Sequence, residues 1–495
     1  MGIKIKRHAL KFTPDAKRVV TRFFNNGEER TTKLIQRILE FSDKKVAEEL
    51  QKTLKEFKGR HRNLQKIFML HCSNFERLIR HMGVDYDALT EDQKMLIGSY
   101  STMEYSLESA ALFNPSMIED VDQTFLKKGE KRVIISFRAT GEGHLSSIVF
   151  RRGILDIDNK LHVMKVRNHI DLPEIGAKMS YDKERFINKM KEIKISDDYI
   201  HEIMDDLPER FEYYELKSAV RKLIEVNTID ESKLHALNEM TWLVDSYYDL
   251  TFNEQSDISE RVIFPNSPEE SRGIEDARFV TFTDEVGKKT VYATYTAYNG
   301  HTIIPKLLST EDFLNFRIMP IHGNAAQNKN FALFPKKVNG KYAMLARIDG
   351  YNNYIMFSDR ITLWSDPIKI QEPQFGWNLT QVGNCGPPIH TEDGWLVLTH
   401  GVGPMRRYCI GALLLDLDDP TKVIGQSREP LISPSKEERE GYVPNVVYSC
   451  GGIIHNKHLI LPYAVSDYSS SYATIELQAL LDDLKSYLNV ILANK

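Results

Sequence analysis

Residues 290–298 read Thr290-Val-Tyr-Ala-Thr-Tyr-Thr-Ala-Tyr298. Apart from Ala293 and Ala297, every side chain is β-branched or aromatic, which suits a pleated surface far better than a helix. Later segments repeat this texture at short intervals, at residues 342–347, 395–400, 408–415 and 458–463. Turn signals such as Val338-Asn-Gly340 and Glu392-Asp-Gly394 fall between them. Strands at this density, in groups of roughly four, indicate a β-propeller, with a β-sandwich as the second architecture. No strict period supports a WD40 or kelch array.

Working back toward the start, residues 132–138 and 146–151 give two more strand signals, joined by Ala139-Thr-Gly-Glu-Gly-His144. The segments between and before them have helical period. Leu34, Ile35, Ile38 and Leu39 form one stripe, and Leu64, Ile67, Phe68 and Leu70 another. Thr90 followed by Glu91 and Gln93 reads as a helix entry. Phe186, Ile187, Met190 and Ile193, then Ala219, Val220, Leu223 and Ile224, mark a later helical block. Leu477, Leu480, Leu481, Leu484 and Leu488 mark a closing amphipathic helix. The chain therefore divides into a helical N-terminal region (1–110), a first β part (111–181), a helical insertion (182–250), the remaining β part (251–472) and a C-terminal helix (473–495).

Composition excludes more than it assigns. The 495 residues are 42% hydrophobic and 27% charged, with net charge −4, so nothing pulls the whole molecule toward nucleic acid or an anionic membrane. No run approaches the length of a membrane-spanning helix. The four cysteines, Cys72, Cys385, Cys409 and Cys450, form no CxxC pair, and no histidine cluster has zinc-ligand spacing, so no metal is expected. Scattered cysteines and a start without an apolar leader point to a cytoplasmic protein. The apolar N-terminal stripes offer a surface for self-association.

The chemistry concentrates at Gly273-Ile-Glu-Asp-Ala-Arg-Phe-Val280. Glu275, Asp276 and Arg278 are packed together and run straight into a strand, so some of these charges face a partly buried cleft. A carboxylate held beside an arginine and apolar walls is material for a tuned acid. The plain alternative is an ion pair that stitches the strand entrance, because structural pairs also shift pKa values. Other strands end in a polar side chain after apolar residues: Arg138, Tyr298, Arg347, His400, Arg407 with Tyr408, and Asp467. Singly, each has a bland reading; His400 before Gly401 could be a turn histidine. Propeller strands converge on one funnel, so their recurrence points to a shared site. Lys329, Arg347, His400 and Arg406 or Arg407 are more cations than a neutral sugar needs, and arginine suits phosphate. Hydrolysis with inversion needs two carboxylates, whereas a phosphate nucleophile needs one acid and a basic pocket.

These residues carry a resemblance. Gly273-Ile-Glu-Asp-Ala-Arg278, Asn330-Phe-Ala-Leu-Phe-Pro335 with Arg347, Gly386-Pro-Pro-Ile389, His400-Gly-Val402, and Pro462-Tyr463 with Asp467 resemble glycoside hydrolase family 130. That family comprises β-mannoside phosphorylases and some β-mannosidases on a five-bladed β-propeller. The resemblance spans about 110–180 and 255–470, and the helical additions resemble the longer members acting on β-1,2-linked oligomannans. It implies that Asp276 is the general acid, working through a hydroxyl of the −1 mannose. It implies phosphate binding by Lys329, Arg347, His400 and Tyr408, with Arg407 beside them. Asn114, Arg138, Ser147 and Asp467 match the residues that hold the −1 mannose, and Glu275 and Tyr298 are grouped with them as substrate-side supports. The implied substrates are a β-mannooligosaccharide and inorganic phosphate, with no further cofactor. Many phosphorylases read His-Arg-Pro where this chain has Ala346-Arg347-Ile348. The alternative at the same site is an inverting exo-β-mannosidase that uses water.

Overall fold

A computed structural model describes residues 3–176, 180–192, 194–226 and 230–493. Ile193 lies outside the described residues, as does the side chain of Leu488. The protein is mainly β with helices added, and five antiparallel sheets form its body. The first sheet runs Val262–Ile263, Ser146–Leu155, Lys131–Thr140, Ala111–Glu119. The second runs Ile274–Thr283, Lys289–Tyr298, Ile303–Thr310, Asn315–Pro320, Tyr248–Thr251, Glu174–Ile175. The third is Lys329–Leu333, Tyr342–Arg347, Asn353–Ser358, Ile368–Gln371, and the fourth is Gln381–Asn384, Gly394–Gly403, Arg407–Leu415, Val423–Gln426. The fifth joins Val447–Tyr448, His458–Val465 and Ser469–Glu476 to the chain's first strand, Ile5–Arg7. Among the described residues no sheet closes on itself.

Alternation explains how the sheets stack, because successive strand residues point to opposite faces. Phe279 faces a core shared with Ile134, Ile148 and Phe150 of the first sheet. Val280 and Phe282 face the other way, into Phe331, Leu333 and Met344 of the third. Leu345 and Ile355 meet Trp395 and Val397 between the third and fourth. Leu396 and Leu398 meet Leu459 and Leu461 between the fourth and fifth. Ile460 and Tyr472 then pack on Val133, Ile135 and Phe137 of the first. Each sheet therefore buries both faces, which accounts for strands with scarcely a polar position, such as Gly394–Gly403, buried throughout.

The N-terminal region differs from the all-helical expectation. Ile5–Arg7 pairs antiparallel with the last strand, Ile5 opposite Ile475, and Val19–Phe23 pairs with Thr102–Ser106. Ile3 and Ile5 alternate with lysines, and a period of two fits a sheet edge rather than a helix. Helices occupy Glu28–Leu39, Asp43–Phe57, Leu64–Ser73, Glu76–His81 and Glu91–Ser99. Thr90 and Gln93 form a capping box at the last of these. The insertion carries helices Lys183–Glu192, Asp197–Met204, Tyr213–Val226 and Glu231–Asp245, with a small ribbon, Ser180–Asp182 against Arg210–Glu212. It leaves and re-enters the body through Glu174–Ile175 and Tyr248–Thr251, which pair with each other. Glu192 fastens it to the body through His322 (2.9 Å) and Arg360.

Candidate active site

One end strand of each sheet (Ala111–Glu119, Ile274–Thr283, Lys329–Leu333, Gln381–Asn384, and Val447–Tyr448 with the residues just after it) is bonded to the others. Ser116 Oγ accepts from the Phe279 amide (3.1 Å), and the Cys450 amide donates to the Pro115 carbonyl (2.8 Å). Asn330 Nδ2 donates to the Asn384 carbonyl (2.8 Å) and to the Tyr448 hydroxyl (2.9 Å), and Arg278 donates to the same hydroxyl (2.8 Å). Three of these strands break register at one point: between Phe113 and Ser116, between Glu275 and Arg278, and between Lys329 and Ala332. Each break holds a residue in the left-handed region: Asn114 (φ 49°), Asp276 (φ 53°) and Asn330 (φ 66°). Asp467 (φ 49°) does the same at the turn before Ser469–Glu476. Bulges re-aim side chains, and left-handed non-glycine residues concentrate at functional sites. Gly273 (φ 120°) opens the motif because a Cβ there would come within 2.6 Å of Ser146 Oγ.

The two adjacent carboxylates have different surroundings. Glu275 takes Arg138 on one oxygen (2.9 Å) and Lys329 on the other (2.6 Å). Burial works to raise its pKa, but the Arg138 and Lys329 charges outweigh burial and hold the carboxyl at about 2. Asp276 accepts from Asn114 Nδ2 (2.6 Å) and lies 3.7 Å from Arg138 and 3.8 Å from Arg278. Its backbone carbonyl also accepts from Arg278 (2.8 Å). A carboxylate fixed as an anion cannot give up a proton near neutrality, so Glu275 is unsuited to act as an acid. Asp467 is different again. Burial raises its carboxyl to about 6, opposed by Arg138 and Arg406 and aided by Asp276 and Glu275.

On the facing strands, Lys329 and Arg347 stand directly opposite each other. Arg347 donates to His400 Nε2 at 3.2 Å, and the His400 ring is tilted toward Tyr448 and stacked toward Tyr408. Burial, then the charges of Arg347 and Arg278, push His400 well below the usual imidazole range. His400 is therefore neutral, with Nε2 as the acceptor and the proton on Nδ1. That corrects the expectation that it adds a positive charge. Gly383 makes the contact possible, since a Cβ there would lie 2.7 Å from the imidazole and 3.3 Å from Arg347 Cδ.

Not every expected residue joins this cluster. Arg407 shares a strand face with Cys409, whose thiol burial pushes up against the opposing pull of Ser433 and Arg407, and Tyr408 points the opposite way. Arg406 is the arginine over the Tyr408 ring, at 6.0 Å. Ser147 stands across from Ala139, on the other face from Arg138, with its buried hydroxyl unpaired. Ser146 is the neighbour that reaches the motif, donating to the Ile274 carbonyl (2.8 Å). Tyr298 spends its hydroxyl on the Gly300 carbonyl (2.9 Å). Asn330 opens one of the motifs quoted above but has no role assigned from sequence, and Asn384 and Tyr448 give no signal there; two asparagines and a tyrosine beside apolar strands are ordinary until the fold brings them together. A groove of about 1080 Å³ along Asp43–Phe57 takes no residue from the five sheets, and its chemistry is unrelated to this cluster. Among the described residues no His, Cys, Asp and Glu group could hold a metal ion, and no helix is long and apolar enough to cross a membrane.

Comparison with known proteins gives a consistent picture. A family model for glycoside hydrolase family 130, described as beta-1,4-mannooligosaccharide phosphorylase, matches residues 244–486. A 1,2-beta-oligomannan phosphorylase of Thermoanaerobacter sp. is 42% identical over 154 residues, 30% of this chain and 51% of that protein. A beta-1,2-mannobiose phosphorylase of the same organism is 33% identical over 229 residues, 43% of this chain and 70% of that protein. Among solved structures, the beta-1,2-mannobiose phosphorylase of Listeria innocua, in complex with beta-1,2-mannobiose, superposes with TM-score 0.46 at 21% identity, covering 77% of this chain and 93% of that one. The chain spans about half the length of the first of these relatives, 51%. The chain belongs to glycoside hydrolase family 130.

Proposed function

We propose that the protein is an inverting β-mannoside phosphorylase acting on β-1,2-linked mannooligosaccharides. The carrying observation is Arg347, a guanidinium matched by no carboxylate among the described residues, facing His400 and standing opposite Lys329, which binds Glu275 of the motif. Relatives named as 1,2-beta-oligomannan and beta-1,2-mannobiose phosphorylases support the substrate class. In this reading a phosphate oxygen attacks C1 of the terminal mannose as the glycosidic C1–O bond breaks. The proton comes from Asp276 through a mannose hydroxyl, and the products are α-mannose 1-phosphate and a chain one sugar shorter. Asn114 and Arg138 fix the sugar side, Arg347, Lys329 and Tyr408 the anion. Phosphate is a co-substrate and no other cofactor is invoked. The architecture we propose for the body is a five-bladed β-propeller, supported by five sheets that each bury both faces and by the bonds that link one end strand of each. A cytoplasmic location and self-association through the N-terminal helices complete the proposal.

One observation favours hydrolysis as the second reading. Asp467, held at about 6, is a carboxyl with the right affinity to serve as a base toward water. Product analysis separates the two. NMR of a β-1,2-mannobiose digest in phosphate buffer should show α-mannose 1-phosphate, and free mannose as the sole new sugar would establish the hydrolase instead.

A further inference from the structure

The third sheet carries a polar row that begins at Lys329 and Arg347. Lys329 is opposite Arg347, and Asn353 is opposite Gln371. Ala346 pairs with Tyr354, so the next step of the same register puts Arg347 across from Asn353. Residues directly opposite in an antiparallel ladder share a face. Lys329, Arg347, Asn353 and Gln371 thus form one line leading away from the site.

This line is unusual in its hydrogen bonding. Asn353 is fully buried, at 0% exposure, yet neither its Nδ2 nor its Oδ1 has a partner. Arg347 Nε and Gln371 Oε1 are buried and unpaired as well. Buried polar groups are rarely left so, and each exception calls for an explanation. The unmet atoms are complementary in order: Arg347 Nε is a donor, Asn353 Oδ1 an acceptor, Asn353 Nδ2 a donor, Gln371 Oε1 an acceptor. An anion would not be bound next to two acceptor oxygens, so the row serves the guanidinium rather than a second phosphate.

Resting on the phosphorylase reading, we infer that Asn353, backed by Gln371, is a positioning residue that orients the Arg347 guanidinium for phosphate, reaching Nε through one water. Held at Nε, the guanidinium keeps one terminal nitrogen on His400 and turns the other toward the anion, a geometry that a freely rotating arginine would lose. The hairpin between the two residues is built for this, since Asp349 binds the amides of Tyr351 (3.0 Å) and Asn352 (2.9 Å) and the Tyr354 hydroxyl (2.8 Å).

The test is the ratio of the phosphate KM to the sugar KM, measured on the full-length protein with β-1,2-mannobiose. Asn353→Leu should raise the phosphate KM about tenfold with the sugar KM within about twofold, as expected when a charged group's bond is lost. Gln371→Met, at the half-buried end of the row, should raise it about threefold, and Gln371→Glu, which keeps the acceptor, should stay within about twofold of wild type. If Asn353→Leu does not fold, the Gln371 pair decides. A phosphate-dependent wild type whose ratio is unmoved by these variants, with only thermal stability changing, would overturn the inference alone. A wild type that turns over without phosphate would overturn the phosphorylase reading and the inference with it.

Discussion

The carboxylate side of the site and the anion side proposed for it balance their charges differently. On the carboxylate side every carboxylate is answered: Glu275 sits between Arg138 and Lys329, a lysine that stands opposite Arg347 and is shared with the anion side, and Asp276 is held by Asn114 with Arg138 and Arg278 close by. On the anion side Arg347 faces a neutral imidazole and no carboxylate among the described residues. A side balanced within itself can grip a neutral sugar without drawing in ions. A side left with one unanswered guanidinium lacks an anion, and the substrate can supply it. The difference also divides the two motif carboxylates. Glu275 is held as an anion by two cations, and under the proposed function Asp276 is the carboxyl that moves the proton.

The comparison can be broken at either side. Asp276→Asn should cost the most, about 10³-fold in kcat with the fold intact, because a positioned acid contributes on that scale; activity assays alongside a melting curve would check it. Arg347→Ala comes next, raising the phosphate KM by roughly 10- to 100-fold with the sugar KM nearly unchanged. An equal rise in both would mean that Arg347 does not belong to the anion side. Glu275→Gln removes the shared anion and should destabilise the protein by about 3 kcal/mol, since Arg138 and Lys329 lose their counter-charge. The sign of its pH dependence follows from a carboxyl depressed from 4.5 to about 2 on folding. The wild type holds that stabilisation fully above pH 4.5 and loses it as pH falls toward about 2, whereas Glu275→Gln should show a flatter acid limb in denaturant titrations. The mildest change, Gly383→Ala, should press on His400 and Arg347 and raise the phosphate KM a few-fold, roughly 1 kcal/mol of lost fit. Kinetics would read it.

Much of the body was legible because periodicity is local. Thr290–Tyr298 announces a strand from composition alone, and Thr90 with Gln93 announces a helix start. The motif at Gly273–Arg278 also signalled a partly buried acid. What stayed hidden depends on distance or phase. Nothing near Lys329 in sequence says that its ammonium will be bound by Glu275, 54 positions away. Arg407 and Tyr408 look equivalent in sequence, but the strand sends them to opposite faces. His400 reads as a cation until its burial beside two arginines makes it neutral. Ile5–Arg7 is too short to stand out, and it becomes a strand only because the last sheet offers an edge. The bulges at Asn114, Asp276 and Asn330 have no sequence period at all, and they are what aim the site.

The unanswered guanidinium is tested most directly by the initial rate of β-1,2-mannobiose breakdown as a function of phosphate concentration. The account predicts a rate that falls to zero as phosphate is removed and saturates as it is restored, with one α-mannose 1-phosphate formed per bond broken. A rate that persists undiminished without phosphate, releasing free mannose, would contradict it.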